Sequence, residues 1–154
     1  MRESPNRREI VLAAAGVSLL AFGRRPARTS ELPEIKAFRN PGCGCCEQWA
    51  EHLEAAGFKV NMTEDEDLPG RRRSLGVPEA MAGCHLAQVG PYVIEGHVPA
   101  QDILTLLQRR PDRMGLAVPG MPIGSPGMEA DGDSEHYAVL IFSADGSSEV
   151  FSRH

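Results

Sequence analysis

The sequence predicts an α/β fold: a sheet flanked by helices, followed by a Gly/Pro/Met-rich loop and a β-hairpin. Three observations carry this. Between residues 35 and 109 the apolar positions switch repeatedly between a strand period and a helical period. Glycine or proline stands at most junctions, at Pro41-Gly42, Gly57, Gly76, Gly90-Pro91 and Pro111. Near the C-terminus two apolar runs flank Asp145-Gly146, a hairpin signal. Composition agrees: 42% hydrophobic and 24% charged over 154 residues is globular and the length of one domain. Aromatics are only 5%, so the core must be largely aliphatic.

Ile35 to Arg39 reads as a strand, broken by Asn40-Pro41-Gly42. From Cys46 to Ala56, Trp49, Ala50, Leu53 and Ala56 fall at helical spacing, and Gly57 supplies the stop. Phe58 to Met62 alternates like a half-buried strand. Leu68 to Leu75 reads as a short helix ended by Gly76-Val77-Pro78. Two short strands follow, His85 to Val89 and Tyr92 to Glu95, turning at Gly90-Pro91. Ala100 to Arg109 is a helix with Ile103, Leu104, Leu106 and Leu107 inward, opened by Pro99 and closed before Pro111. Gly115 to Glu129 shows no regular period. Ala138 to Phe142 and Glu149 to Phe151 form the hairpin. Strand, helix, strand, helix, hairpin and helix is the order of a thioredoxin-like fold. That order places Pro78 near the position where such folds hold a cis proline.

The first thirty residues are of another kind. They carry six arginines against Glu3 and Glu9, a balance of +4, whereas residues 31–154 carry ten basic and nineteen acidic residues, a balance of -9. Arg2, Arg7 and Arg8 precede an apolar run of thirteen residues, Ile10 to Phe22, short of the ~20 that span a bilayer as a helix. This is the pattern of an export signal. Asn6-Arg7-Arg8-Glu9-Ile10-Val11 resembles the twin-arginine type, and Arg24, Arg25 and Arg28 suit that route. No Ala-x-Ala cleavage site stands out, so a retained membrane anchor is the alternative. Residues 1–30 are thus expected to be an address and 31–154 the working domain, in an oxidising compartment. Net charge of -5 and a pI near 5.5 argue against a nucleic-acid partner, which calls for a basic face.

All four cysteines lie in the acidic part. Cys43-Gly44-Cys45-Cys46 contains the redox spacing Cys-x-x-Cys plus an extra thiol. At a helix N-terminus these thiols meet free N–H groups and the positive dipole end, which favour thiolate. Cys45 and Cys46 are neighbours with α-carbons about 3.8 Å apart, below the usual disulfide range of about 4.4–6.8 Å. A spare thiol inside a dithiol motif invites scrambling, whereas crowded thiolates select Cu(I) or Zn(II). Structural zinc usually pairs two separated knuckles, so bridging thiolates around several Cu(I) ions suit this triad better. Redox exchange through Cys43 and Cys46, and a structural disulfide, are the alternatives. Cys84-His85 adds a soft and a borderline ligand.

Other candidates carry less. His52 lies about 9 Å along the helix axis from Cys46 and reads as a solvated residue. His97 is balanced between turn residue and ligand, and Met121 and Met128 are thioether candidates set against gap-filling or exposure. Trp49 reads as core. Arg71-Arg72-Arg73 and Glu64-Asp65-Glu66-Asp67 read as solvated segments. His136 and His154 have nothing beside them to single them out.

Taken together, Asn40-Pro41-Gly42-Cys43-Gly44-Cys45-Cys46, Trp49, His52-Leu53, Gly57-Phe58, Gly76-Val77-Pro78, Cys84-His85, Gly96-His97-Val98-Pro99-Ala100, the run Gly115 to Pro122 and Gly124 to Glu129 resemble the CopG-type periplasmic copper-resistance family. The resemblance covers about residues 34–143. It implies a thioredoxin-like domain that binds copper ions through Cys43, Cys45, Cys46 and Cys84 with His85 beside them, among other periplasmic copper-handling proteins, and an oxidoreductase role for the type. Gly83 stands where the family usually has Ser, and Leu86 where it usually has Thr. Both departures bear on the hydrogen bonding around Cys84 rather than on the ligands.

Overall fold

Strand β1 (Ile35–Arg39) buries Ile35 and Ala37 and exposes Lys36 between them. Gly42, at φ 74°, turns the chain into α1 (Gly44–Ala55). This helix starts two residues before the expected Cys46, because Cys43, with extended backbone, already occupies the N-cap. Its buried face is Cys46, Trp49 and Leu53. Phe58 N–H then bonds back to the Leu53 carbonyl at 3.1 Å, so Phe58 closes the helix instead of starting a strand. For that reason β2 is Val60–Glu64, two residues later than its alternation suggests.

Helix α2 (Leu68–Leu75) begins at Asp67, whose carboxylate accepts the Gly70 N–H at 2.8 Å, and ends at left-handed Gly76. The acidic run before it therefore includes a working cap. No cis peptide bond occurs among the described residues, so Pro78 does not fill the cis role expected of it. It leads instead into a short 3₁₀ turn, Glu79–Met81. Then come β3 (Leu86–Val89), β4 (Tyr92–Glu95), α3 (Ala100–Arg109), β5 (Gly115–Ala117), β6 (Ala138–Phe142) and β7 (Ser148–Arg153). Strand β5 lies in the stretch that shows no period; three residues are too few to show one, and pairing with β4 defines it.

These elements come from a computed structural model that describes residues 31–130, 132 and 134–154; the expected export signal lies outside the described residues. The strands form one seven-stranded mixed sheet in the order β2-β1-β3-β4-β5-β6-β7. The pairs β1/β2 and β4/β5 are parallel, the rest antiparallel. Strand alternation divides the core between two faces. On one, Ile35, Ala37, Ala87, Val89, Ile94 and Leu116 pack with Trp49 and Leu53 of α1 and Ile103 and Leu106 of α3. On the other, Leu86, Val93, Ala117 and Phe142 pack with Leu68 of α2, Val77 and Met81. The α/β class, flanking helices, Gly/Pro/Met-rich loop and C-terminal hairpin are as expected. Among the described residues no helix is long and apolar enough to cross a membrane.

Candidate metal centre

The N-terminus of α1 and the segment entering β3 meet because β1 and β3 are adjacent and antiparallel, with Phe38 opposite Leu86. The end of one strand and the start of the other therefore lie side by side. Four sulfurs converge there: those of Cys43, Cys45, Cys46 and Cys84 all lie within 4.8 Å of one another. Cys84 Sγ is 3.4 Å from Cys43 Sγ and 3.6 Å from both Cys45 Sγ and Cys46 Sγ. Cys43 and Cys46 are joined as a disulfide, while Cys45 and Cys84 are free. The neighbours Cys45 and Cys46 are not bonded to each other.

Burial, then the neighbouring Cys45 thiol, pushes the Cys84 thiol up to about 11, against a downward pull from Arg72. Sulfurs this close cannot all carry charge without a cation among them. A soft cation would lift that restriction by holding them as thiolates.

Charged residues fix the backbone on both sides. Arg39, at the end of β1, donates to the Cys43 carbonyl at 2.8 Å and pairs with Glu47 of α1 at 2.7 Å. Arg72, from the run expected to be solvated, is instead largely buried: its Nε bonds both carboxylate oxygens of Glu95, at 3.0 and 3.1 Å. Burial pushes the Glu95 carboxyl up, while Arg72 and the Gly83 N–H pull it down. Arg72 Nη2 donates to the Gly83 carbonyl at 2.9 Å, and the Gly83 N–H donates to Glu95 at 3.0 Å. Both backbone groups of the residue before Cys84 are thus held by one buried ion pair. A Cβ on Gly83 would lie 2.5 Å from the Gly96 α-carbon, so the serine usual in the resembled family does not fit here.

The irregular loop after β5 lies over the same corner. Gly120 bridges Gly83, and a Cβ on Gly127 would come 2.6 Å from the Cys45 carbonyl and 2.7 Å from the Trp49 nitrogen. Met128 is half-buried, whereas Met121 is 55% exposed.

Both histidines nearest the thiols are fully buried. The His85 ring lies 4.1 Å from Trp49 and 5.0 Å from His97, centroid to centroid. Neither His85 ring nitrogen has a hydrogen-bond partner, nor does His97 Nε2. His97 Nδ1 bonds the Pro126 carbonyl at 2.8 Å. Burial first, then His97 and Arg72, push the His85 imidazole down to about 3. Burial also lowers His97, against its bond to Pro126.

The structure therefore brings Cys43, Cys45, Cys46 and Cys84 together, and it groups His85 and the buried His97 with Cys84 alone. His52 is not a solvated residue: its Nε2 accepts the Ala100 N–H at 3.1 Å and caps α3. Trp49 is core, as expected, and also the wall of the site, with Nε1 donating to the Val98 carbonyl at 2.9 Å. His154, which nothing in the sequence marks, bonds Asp102 at 2.8 Å, and His136 is exposed. Sequence reasoning missed Arg72 and Glu95. The one available signal was an acidic residue ending an otherwise apolar strand, Tyr92 to Glu95.

Comparison with known proteins follows the same residues. A family model described as a protein of unknown function, DUF411, matches residues 81–128, which include Cys84, His85 and His97. No curated protein matches the chain. Among solved structures, the chain is similar to Form 2 of the copper resistance protein CopG, at 43% identity over 80% of this chain and 99% of that chain, with a TM-score of 0.76. It is equally similar to Form 1 of that protein, at 43% identity over 80% of this chain and 98% of that chain, also with a TM-score of 0.76.

Proposed function

The chain belongs to the CopG copper-resistance family, and from that premise we propose that it is a periplasmic Cu(I)-binding protein for copper sequestration, transfer or resistance. Cys43, Cys45, Cys46 and Cys84 hold the copper as thiolates, with His85 beside them. One observation carries this reading: four sulfurs from two distant stretches of chain lie within 4.8 Å of one another. Crowded thiolates share bridging bonds among several Cu(I) ions more readily than they surround a single tetrahedral ion. Residues 1–30 act as the export signal, of twin-arginine type, and residues 31–154 as the metal-binding domain. The β2-β1-β3-β4 order of the first four strands supports a thioredoxin-like reading of that part. Other periplasmic copper-handling proteins are the partners this role calls for.

Native mass spectrometry tests the proposal. Reduced full-length protein titrated with Cu(I) is expected to bind more than one ion per chain, and serine at Cys43, Cys45, Cys46 or Cys84 is expected to lose that uptake. Apo-protein unable to take up Cu(I) under reducing conditions would sink the reading.

The Cys43–Cys46 disulfide, beside two free thiols, favours a second reading as a thiol–disulfide oxidoreductase. A donor dithiol attacks Cys43 through one thiolate, and Cys46 leaves as a thiolate. The donor's second sulfur then displaces Cys43, so the donor ends as a disulfide and the protein as a dithiol. Turnover with a dithiol donor supports it, and exchange no faster than that of free glutathione argues against it.

A further inference from the structure

The surface around the thiols has a composition that the packing of the chain does not explain. The exposed residues beside Cys43 are Pro41, Gly42 and Gly44, and those of the loop after β5 are Pro119, Gly120 and Met121. Gly120 bridges Gly83, next to Cys84, so the two stretches border one opening. Met121 is 55% exposed and Ile123 36%, two of the three large hydrophobic side chains left exposed among the described residues. Exposed apolar side chains gathered at one place mark a contact surface more often than a free one.

Gly44 sharpens the point. Gly42 and Gly120 sit at φ 74° and 76°, where glycine is favoured for its backbone alone. Gly44 has no such excuse: its φ lies outside the left-handed region, it is the first residue of α1, and a Cβ there would meet nothing within 4 Å. Glycine is among the weakest helix formers, and alanine fits here without strain. Nothing within the chain asks for a bare backbone at this position, so the demand comes from outside. A side chain between Cys43 and Cys45 would hold a partner's surface away from the sulfurs.

Charge says what kind of partner. Residues 40–48, 79–84 and 117–130 frame the opening; together they contain Glu47, Glu79 and Glu129 and no Lys or Arg. Glu79 and Glu129 are exposed and have no ion-pair partner among the described residues. Two cations reach this corner, Arg39 and Arg72; they are 13% and 14% exposed and are taken up by Glu47 and Glu95. The face is thus apolar at its centre and acidic at its rim, the layout of a protein interface. A second copy of the chain would set like charge against like, and an anionic lipid surface would do the same.

We propose that this face docks a separate protein with a complementary surface: an apolar, sulfur-bearing loop ringed by lysine or arginine. The bare backbone at Gly44 lets that loop reach the thiols, and the glutamates orient the approach. The inference rests on the copper-binding reading only for its cargo, Cu(I) passed between the two surfaces; the docking face itself stands without metal.

The test uses two synthetic ten-residue peptides as probes. Both carry a central Met-x-Met, flanked by lysines in one and by glutamates in the other. Full-length, ¹⁵N-labelled, oxidised and metal-free protein is titrated with each. The amide signals of Gly42, Gly44, Gly120, Met121 and Ile123 are expected to move with the lysine peptide and not with the glutamate peptide. The response is expected to weaken as salt rises from about 20 to about 200 mM. Gly44→Gln is expected to keep its Tm and to bind the lysine peptide about tenfold more weakly, and Glu79→Lys to flatten the salt dependence. In a second arm, the reduced protein receives Cu(I) from the loaded lysine peptide or from a small chelator. Gly44→Gln is expected to slow only the transfer from the peptide. Shifts spread over the acidic run 64–67 instead of the face, an equal response to both peptides, or no response overturns the docking face. Signals of the face that move on dilution of wild type assign it to a dimer and overturn it too. Cu(I) uptake without a peptide response leaves the copper reading standing alone, whereas a peptide response without Cu(I) uptake sinks the copper reading and leaves the face. If Gly44→Gln does not fold, Glu79→Lys and the two peptides decide.

Discussion

Cys84 joins the site at a cost in charge. Its thiol, pushed up to about 11, is neutral at ordinary pH and must give up its proton to bind a metal. Copper binding is therefore linked to proton release. Apparent Cu(I) affinity is expected to rise about tenfold per pH unit for each proton released below the thiol's own titration. Competition with a Cu(I) chelator of known pH behaviour at pH 6, 7 and 8 measures this slope, and Cys84→Ser is expected to make it shallower. His85 gives a second expectation, for the apo-protein. In the unfolded chain its imidazole takes a proton near 6.5, and in the fold near about 3, because burial disfavours the cation and His97 and Arg72 lie close. Between those values the unfolded state binds the extra proton. This difference leaves the fold unaffected above 6.5 and destabilises it as pH falls from there toward 3, at up to about 1.4 kcal/mol per pH unit. Urea unfolding of the apo-protein at pH 7 and pH 4.5 is expected to show a larger loss for wild type than for His85→Leu.

At the scale of elements, the site depends on a helix outside it. Arg72 of α2 holds Glu95 of β4, and together they hold Gly83, next to Cys84. Replacing Arg72 by Met leaves Glu95 buried without its partner, a loss expected to be about 3–5 kcal/mol. Chemical denaturation measures that loss. Replacing both residues, as Arg72→Met with Glu95→Leu, is expected to recover much of the stability but not the Cu(I) affinity, because nothing then fixes Gly83. Equal recovery of both would show that the ion pair only fills space. Sequence reading reached the elements themselves well, since Gly57, Gly76 and the apolar spacing of 100–109 are local signals. It reached the cysteines because three thiols in four residues need no structure to be noticed. It did not reach β5, too short for a period, nor Arg72 and Glu95. A charged residue in an arginine run looks solvated until a strand from elsewhere covers it. His97 was ambiguous for the same reason, because its burial depends on a loop about thirty residues further along the chain.

For the molecule as a whole, disulfide and copper constrain different things. The Cys43–Cys46 disulfide has a sequence separation of 3 and lies within the start of α1. It closes a loop of four residues, and the loop-entropy model gives it about 2 kcal/mol. Copper held by the triad and Cys84 ties α1 to the entry of β3, across the β1/β3 pairing on which the sheet is built. Ligand linkage gives about 4 kcal/mol at a thousandfold excess over Kd, and a domain of this size gains about 4 °C in Tm per kcal/mol. Reduction of the apo-protein is therefore expected to lower Tm by about 8 °C. Loading the reduced protein with Cu(I) is expected to raise Tm by about 16 °C, to a value above that of the oxidised form. Anaerobic calorimetry of the oxidised, reduced and copper-loaded states compares all three. A copper-loaded form no more stable than the oxidised one would mean that the four cysteines serve mainly to staple the fold, because a metal that crosslinks two distant segments must stabilise their pairing more than a bridge within one turn.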